Sequence, residues 1–430
     1  MRATTFLRLA ALLAVTARLA GAQTVAITGG TVHPVSGPKI ENGTVLIRDG
    51  KIVAVGANVA IPADAQRIDA SGKWVTPGFI NSATTLGLNE AGGPQFSGGY
   101  NDVSANGTNG IAASFEAWRG INPVNTYIIP ARQEGVTSVA VAGGNGMISG
   151  RIGVIDLVDA TTVAELFRSG PVAMAGDYGN PGNGSTGARA EYWAKWRTLF
   201  DDVKAYAARR AAYEQGNSRD LAAPRSELEA LIPVVNGQMP LALNVDRASD
   251  IIAALAFARE YSLKLWITSG AEAWMVAKEI AAAKVPVFTG AMNNIPQDFG
   301  ALGQRQENAA MLRAAGVTVV LVGNGPGDEA SFNVRNIRQE AGNAVAFGLP
   351  WDEALRAITL APAEVLGIGG EVGSLAVGRD ANVVVWSGDP FEFGSVAEHV
   401  FVRGRTFTSK SRQQMLVERY LTLPPGYRRP

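Results

Sequence analysis

Between Trp74 and about Ala361, short apolar runs alternate with longer stretches in which apolar residues recur at helical spacing. This alternation is typical of a parallel β/α architecture. Eight of the runs predict strands, and eight strands suit a closed (β/α)8 barrel of the TIM type. The predicted strands are Gly78–Asn81, Val136–Val141, Gly153–Leu157, Val172–Ala175, Leu241–Val245, Lys264–Thr268, Val285–Thr289 and Thr318–Val322.

The stretches between these runs predict helices, except for one long loop. Residues 91–110 are rich in Gly, Asn and Ser, which predicts irregular structure. The predicted helices are Pro123–Gln133, Thr162–Arg168, Arg189–Glu214, Ser249–Tyr261, Ala271–Ala283 and Arg305–Ala315.

Short β-rich runs flank the barrel segment on both sides. Before it, they extend from Thr24 to about Ala70 and are separated by turn signals such as Asp49-Gly50. After it, Asn382–Trp386 and Val400–Arg403 predict two further strands. We expect the two groups to pair into one small, discontinuous β-sandwich domain. The predicted division is a signal peptide at 1–22, the composite β domain at 23–72 and 371–408, the barrel at 73–370, and a C-terminal helix and tail at 409–430.

The N-terminus has the pattern of an export signal. Arg2 and Arg8 precede the apolar run Leu9–Ala17, and Ala20-Gly21-Ala22 fits a small-x-small cleavage site. The run is too short to form a stable membrane span. We therefore expect a periplasmic or extracellular protein. The pattern leaves open whether the segment is cleaved after Ala22 or retained as an anchor.

Composition limits the chemistry. Lys+Arg and Asp+Glu number 38 each, so charge does not favour nucleic acid as a partner. The chain has no cysteine, which excludes disulfides and thiolate metal sites. It has two histidines, His33 and His399, and both fall outside the predicted barrel.

Small polar residues follow the first barrel strand. The sequence Pro77-Gly78-Phe79-Ile80 leads into Asn81, Ser82, Thr84 and Thr85, which either line a pocket or solvate a turn. The stretch resembles the Pro-Gly-hydrophobic-hydrophobic-Asp-x-His-x-His signature of amidohydrolase-superfamily enzymes, especially the secreted imidazolonepropionase-like branch. The segment GSLAVGRDANVVVWSGDPF, residues 373–391, is similar to the return of that family into its β domain.

The resemblance implies a divalent metal site, usually zinc, in which most of the family's ligands are replaced here. Asn81 stands at the aspartate position of the signature, with Ala83 and Thr85 at its two histidines. Asn244 and Ser269 stand where strands five and six would each supply a histidine. Asn324 replaces the strand-eight aspartate, and Asp156 is the nearest residue to the strand-four ligand.

These replacements predict a degenerate site. Zinc prefers imidazole, thiolate or carboxylate ligands, whereas amide and hydroxyl oxygens are neutral and weak. Asn324 also cannot take a proton from water as an aspartate would. We therefore expect no bound cofactor, and an exported pseudoenzyme of a carbon–nitrogen hydrolase family that binds a small amide or peptide-like ligand.

Two alternatives stay open, so the sequence does not decide whether the protein is an enzyme. An active hydrolase could hold a divalent ion through Asp156, Asp246 and Asp328, although helix capping also accounts for Asp246, Glu272 and Asp328. The protein could instead be a structural subunit of an envelope assembly. Homo-oligomerisation, or pairing with an active relative, is compatible with each of these functions.

Overall fold

The computed structural model describes residues 24–90, 101–105, 107–144, 146–178, 188–292, 296, 299–323 and 329–421. The predicted export signal, Asn324, Asp328 and the end of the tail lie outside these residues. The described strands are β1 Val25–Val32, β2 Ile40–Arg48, β3 Lys51–Gly56, β4 Gln66–Asp69, β5 Trp74–Pro77, β6 Phe79–Thr84, β7 Val136–Val141, β8 Ile148–Asp156, β9 Phe167–Asp177, β10 Leu241–Val245, β11 Leu265–Ser269, β12 Val287–Thr289, β13 Val319–Leu321, β14 Val383–Trp386 and β15 Ala397–Phe401.

The first sheet joins the two ends of the chain. Its order is β15-β14-β5-β1-β2-β3, with β4 also paired to β1, and β14 lies antiparallel to β5. The expected sandwich is therefore one continuous hydrogen-bonded sheet, which we call the composite sheet, and it extends to Pro77 rather than to residue 72. The turn between β2 and β3 has Asp49 at φ 52° and Gly50 at φ 78°, the positive pair that a tight hairpin requires.

The second sheet is the predicted barrel. Its order runs from β6 to β13 in chain sequence, and the eight predicted strands all occur in it. The (β/α)8-type fold class is thus confirmed, with one difference: β8 runs antiparallel to both β7 and β9. The glycine before the first barrel strand has a steric reason, because a Cβ at Gly78 would overlap the Thr137 side chain.

Helices surround the barrel. The predicted long helix at Arg189–Glu214 is divided at Arg209. Five of the described α-helices were not predicted, namely those that begin at Arg225, Glu329, Ile337, Trp351 and Leu360. None of the described helices is long and apolar enough to cross a bilayer. Their bounds are α1 Ile128–Gln133, α2 Val163–Leu166, α3 Arg189–Ala208, α4 Arg210–Glu214, α5 Arg225–Val235, α6 Ala248–Tyr261, α7 Ala277–Ala283, α8 Asn308–Ala314, α9 Glu329–Phe332, α10 Ile337–Ala346, α11 Trp351–Ala357, α12 Leu360–Val365 and α13 Arg412–Leu421.

Apolar side chains fill the middle of the barrel. One buried cluster draws residues from all eight strands and from the segment that includes α12. Since successive strand residues point to opposite faces, this cluster identifies which positions face inward. Its strand members are Ile80, Ala140, Ile152, Val154, Ala173, Ala175, Ala242, Trp266, Phe288 and Val320.

A buried ion cluster lies at the amino-terminal side of the barrel. Asp156 is fully buried and accepts hydrogen bonds from Ser138 Oγ at 2.6 Å, Arg168 Nε at 2.8 Å and Arg403 Nε at 2.5 Å. Arg168 also contacts Asp380 at 2.8 Å. Burial lowers the pKa of Arg168, but the hydrogen bonds to Asp156 and Asp380 raise it overall, so the guanidinium stays charged.

This cluster corrects the prediction for Asp156. The residue was expected beside the other ligand-equivalent positions at the carboxyl ends of the strands. Because β8 runs antiparallel, its last residue pairs instead with Ser138 in the amino-terminal half of β7. Both carboxylate oxygens of Asp156 accept from arginines, and Arg403 follows the composite sheet. Asp156 therefore connects the barrel to the composite sheet and cannot serve a site at the opposite end.

We expect Asp156→Asn to lower the free energy of unfolding by about 3 kcal/mol, because it removes the fully buried carboxylate that pairs with the buried Arg168 and the half-buried Arg403. Thermal and urea unfolding measure the loss. Glu371→Gln is the matched control, since Glu371 contacts the same Arg168 at 2.7 Å but has 58% of its side chain exposed. The control should change stability by less than about 1 kcal/mol. Equal effects of the two substitutions would contradict the assigned role of Asp156.

Candidate functional site

The carboxyl ends of the parallel strands meet at one edge of the barrel, which we call the mouth. Ala142, Asp177, Asn244 and Thr268 follow inward-facing residues of β7, β9, β10 and β11 by two positions, so they share the inner face. In this fold, binding and catalytic groups are placed at that edge. The mouth is therefore the place to test the sequence-predicted site.

The end of β6 brings three predicted positions to the mouth, with different roles. Asn81 is buried, its Nδ2 donates to Val334 O at 3.3 Å, and its Oδ1 accepts from Ala83 N at 3.3 Å. Its side chain thus fixes local backbone. Ala83 packs against the inner cluster of the barrel. Thr85 is half-buried, and its backbone N–H donates to Ala330 O at 3.2 Å.

Two hydroxyls at this strand end have no hydrogen-bond partner among the described residues. They are Ser82 Oγ and Thr85 Oγ1, and both atoms are shielded from solvent. The neighbouring Thr84 differs, because its Oγ1 donates to Ala140 O at 2.8 Å. A buried hydroxyl without a partner costs about 1–3 kcal/mol, so such groups are expected where a ligand or water supplies the partner.

A carboxylate and an amide lie together across β9 and β10. Asn244 Nδ2 donates to Asp177 Oδ2 at 3.2 Å, and Asn244 is exposed to solvent. Asp177 was missed in the sequence because the predicted strand ended at Ala175, two residues early. The same alternation that places Ala173 and Ala175 inside would have identified it.

The end of β11 contributes a hydroxyl, but from a different residue than predicted. Ser269 is exposed and adopts φ 71°. Thr268 is half-buried and two residues beyond the inward-facing Trp266, so it faces the mouth. The left-handed backbone at Ser269 marks the point where the chain leaves the strand.

The acidic residues after the strands fix loops. Asp246 Oδ1 accepts from Ala271 N at 3.0 Å. Glu272 is buried, and its two carboxylate oxygens accept from Ala248 N and Gly303 N, both at 2.9 Å. Glu272 therefore caps the start of α6 through Ala248 N, as the capping interpretation expects, whereas Asp246 fixes the loop at Ala271.

Aromatic residues form a rigid wall beside the mouth. Tyr178 follows Asp177, and its ring lies 4.3 Å from that of Trp193 between centroids. Burial, together with the Asp250 carboxylate, raises the pKa of Tyr178 to about 12, so its hydroxyl stays protonated and donates to Arg189 O at 3.2 Å. Trp193 and Trp196 both pack against Phe257, as expected for packing residues.

Neither histidine reaches the mouth. His33 follows β1 in the composite sheet, and His399 lies in β15, paired with Val385. Both positions agree with the expected location outside the barrel.

The described donors at the mouth do not fit zinc. They are amide and hydroxyl oxygens with one carboxylate, Asp177, whereas zinc sites use imidazole, thiolate or several carboxylates. Among the described residues no group of three or more His, Cys, Asp or Glu side chains could hold a metal ion. Asn324 and Asp328 lie outside those residues, so their part in the predicted site stays a prediction.

Known proteins share the fold and part of the sequence. Residues 245–411 match the amidohydrolase family model. An imidazolonepropionase of Acidiphilium cryptum is 26% identical over 376 residues, which cover 82% of this chain and 89% of that protein. The crystal structure of an amidohydrolase from Thermotoga maritima matches with a TM-score of 0.79 and 27% identity, covering 90% of this chain and all of that one.

A more distant structure shows how far the fold extends. A prolidase crystallised with N-methylphosphonate-L-proline has a TM-score of 0.52 and 20% identity over 90% of this chain and 99% of that one. At that identity the likeness concerns the fold alone. The family match, the relatives and the barrel agree: residues 245–411 carry an amidohydrolase family domain, and the chain as a whole is similar to imidazolonepropionases and to solved amidohydrolases.

Proposed function

We propose that the protein is an exported amidohydrolase relative that binds a small amide or peptide-like ligand at the barrel mouth, without zinc-dependent hydrolysis. The main support is a pair of buried hydroxyls, Ser82 Oγ and Thr85 Oγ1, that have no hydrogen-bond partner in the described part of the chain and lie at the strand end where the family signature has its ligands. A ligand carbonyl would accept hydrogen bonds from these hydroxyls and remove their desolvation penalty.

The other polar groups of the mouth complement the rest of an amide. The Asp177 carboxylate and the Asn244 carboxamide lie on neighbouring strands and offer acceptors for a ligand N–H. Hydroxyl donors and carboxylate or amide acceptors around one opening suit a group that both accepts and donates. The imidazolonepropionase relatives, named for a substrate with a cyclic amide, are consistent with this ligand class.

The donor set argues against the family's hydrolysis. Activation of a water requires a metal that lowers its pKa from about 15.7 to about 7. Neutral oxygens bind zinc too weakly to hold an ion for that task. The alternative is an active hydrolase with an oxygen-ligand divalent ion, for which Asp246, whose Oδ1 accepts from Ala271 N, would supply one ligand.

We expect the purified full chain to contain well below one equivalent of zinc, manganese or nickel by elemental analysis. We also expect no hydrolysis of N-acetyl amino acids, dipeptides or cyclic amides above a buffer control, with or without added divalent ions. Chelator-treated protein should behave identically, because no catalytic ion is lost.

One metal equivalent per chain, with hydrolysis that EDTA abolishes and the metal restores, would contradict the proposal. Metal-dependent hydrolysis that appears with added magnesium or manganese but not zinc would favour the oxygen-ligand alternative.

We expect Thr85→Val to abolish ligand binding while leaving the free protein as stable or more stable, because it removes a buried hydroxyl that no described residue hydrogen-bonds. Thermal unfolding with 2-pyrrolidinone, acetamide and glycylglycine gives the readout, and a ligand at about 100 times its Kd adds about 2.7 kcal/mol to stability. Thr84→Val is the matched control: it should destabilise the free protein by about 1 kcal/mol and keep the ligand shift. A shift that survives in Thr85→Val, or no shift with any of the three compounds in the wild type, would count against the proposed site.

Export is part of the proposal and rests on the N-terminal pattern. We expect a bacterial host to release a mature chain that begins at Gln23 into its periplasm or medium. Intact-mass analysis of fractionated cells tests this, with an Ala20→Asp, Ala22→Asp double variant as the uncleavable control. A full-length chain confined to the cytosolic fraction would exclude export.

A further inference from the structure

His33 lies at the contact between the composite sheet and the barrel. It follows β1 directly, and its backbone N–H donates to Val75 O at 2.8 Å, so the residue is fixed to the sheet. Its side chain leaves the sheet and reaches α11, the helix that begins at Trp351. The contact therefore joins two parts of the chain that are more than 300 residues apart.

The imidazole is packed between two indoles. Its ring centroid lies 4.7 Å from Trp74, nearly parallel at 21°, and 4.8 Å from Trp351 at 49°. The two indoles also contact each other, with centroids 5.2 Å apart. Trp351 is held from behind by Phe391 at 5.0 Å and by Asp389, whose Oδ1 accepts from Trp351 Nε1 at 3.1 Å.

Among the described residues, this packing offers no acceptor for an N–H at His33 Nε2. His33 is 6% exposed, and its Nε2 has no hydrogen-bond partner among the described residues. A neutral imidazole needs one donor and one acceptor interaction, whereas imidazolium needs two acceptors. A protonated His33 would therefore hold a buried charge with one N–H unpaired.

The charged groups that face His33 come from three segments, and they oppose one another. Asp352 of α11, Asp389 and Glu41 of β2 favour the imidazolium, and Lys39 disfavours it. Burial outweighs them and lowers the pKa of His33 below 6.5. Since the folded pKa lies below the unfolded one, the contact is fully stable above about pH 6.5 and loses stability as pH falls toward the folded pKa.

The helix on the far side of this contact supports the mouth. α11 ends at Ala357, and the next residue, Ile358, accepts through its carbonyl oxygen from Ile80 N of β6 at 2.8 Å. β6 is the strand that brings Ser82 and Thr85 to the mouth. A change in the position of α11 would therefore act on β6, and on the proposed binding groups at its end, through this hydrogen bond.

We propose that His33 is an acid-sensitive latch between the composite sheet and α11, and that protonation of its imidazole separates Trp74 from Trp351 and loosens the support of β6. The latch is a property of this contact and holds whether or not the mouth binds an amide.

The chain offers a direct test because it has only two histidines. NMR of the full chain labelled at histidine Cε1 should show two imidazole signals, assigned with His33→Gln and His399→Gln. We expect the His33 signal to titrate with a midpoint below 6.5, accompanied by a change in tryptophan fluorescence. We also expect the unfolding temperature to fall between pH 7 and pH 5, and His33→Phe to remove a clear part of that fall.

His399→Phe is the matched control and should keep the full pH dependence. A His33 midpoint at or above 6.5, or a His33→Phe protein with an unchanged pH dependence, would overturn the latch. If His33→Phe does not fold, the titration of His33 in the wild type and in Trp351→Phe tests the latch instead. The latch predicts that opening the indole packing raises the midpoint of the His33 titration. An unchanged midpoint in Trp351→Phe would contradict it.

Discussion

The buried ion cluster around Asp156 is the interaction on which the rest of the arrangement depends. It gathers Asp156 and Arg168 from the barrel with Asp380 and Arg403 from the C-terminal segment. Asp156 and Arg168 are deeply buried and are stable only when they are paired, so the cluster favours one position of the barrel on the composite sheet. The cluster also places these paired charges at the amino-terminal end of the barrel, whereas the described groups at the mouth are mostly neutral.

The segments around the mouth show the complementary pattern, because their carboxylates accept from backbone N–H groups and fix loops. Glu272 accepts from two backbone N–H groups, and Glu340 does the same for Ala291 N and Met292 N. Rigid loops around a cleft reduce the ordering entropy that a ligand must overcome. A barrel that keeps its loops fixed, with two buried hydroxyls at one strand end that no described residue pairs, suits binding better than metal-assisted hydrolysis, and this contrast is the reason for the proposed function.

Much of the fold could be predicted, because strands of a barrel are short apolar runs and all eight were visible. The direction of β8 could not, since Gly153–Leu157 has the same apolar pattern in either direction; only its pairing with β7 and β9 shows that Asp156 lies at the amino-terminal side. α5 was missed although its apolar spacing is helical, because Pro233 lies inside it. At the mouth, the family resemblance located Asn81, Ala83, Thr85 and Asn244, but only side-chain contacts distinguish Asn81, which fixes backbone, from Thr85, whose hydroxyl has no partner among the described residues.

The central claim is that the barrel has been kept while its mouth no longer holds zinc. The most direct measurement is anomalous X-ray diffraction at the zinc absorption edge, on crystals of the mature chain grown with excess zinc. The account predicts no anomalous peak between the ends of β6, β10 and β11. A strong peak there, within about 2.0–2.3 Å of side chains of this chain, would contradict it.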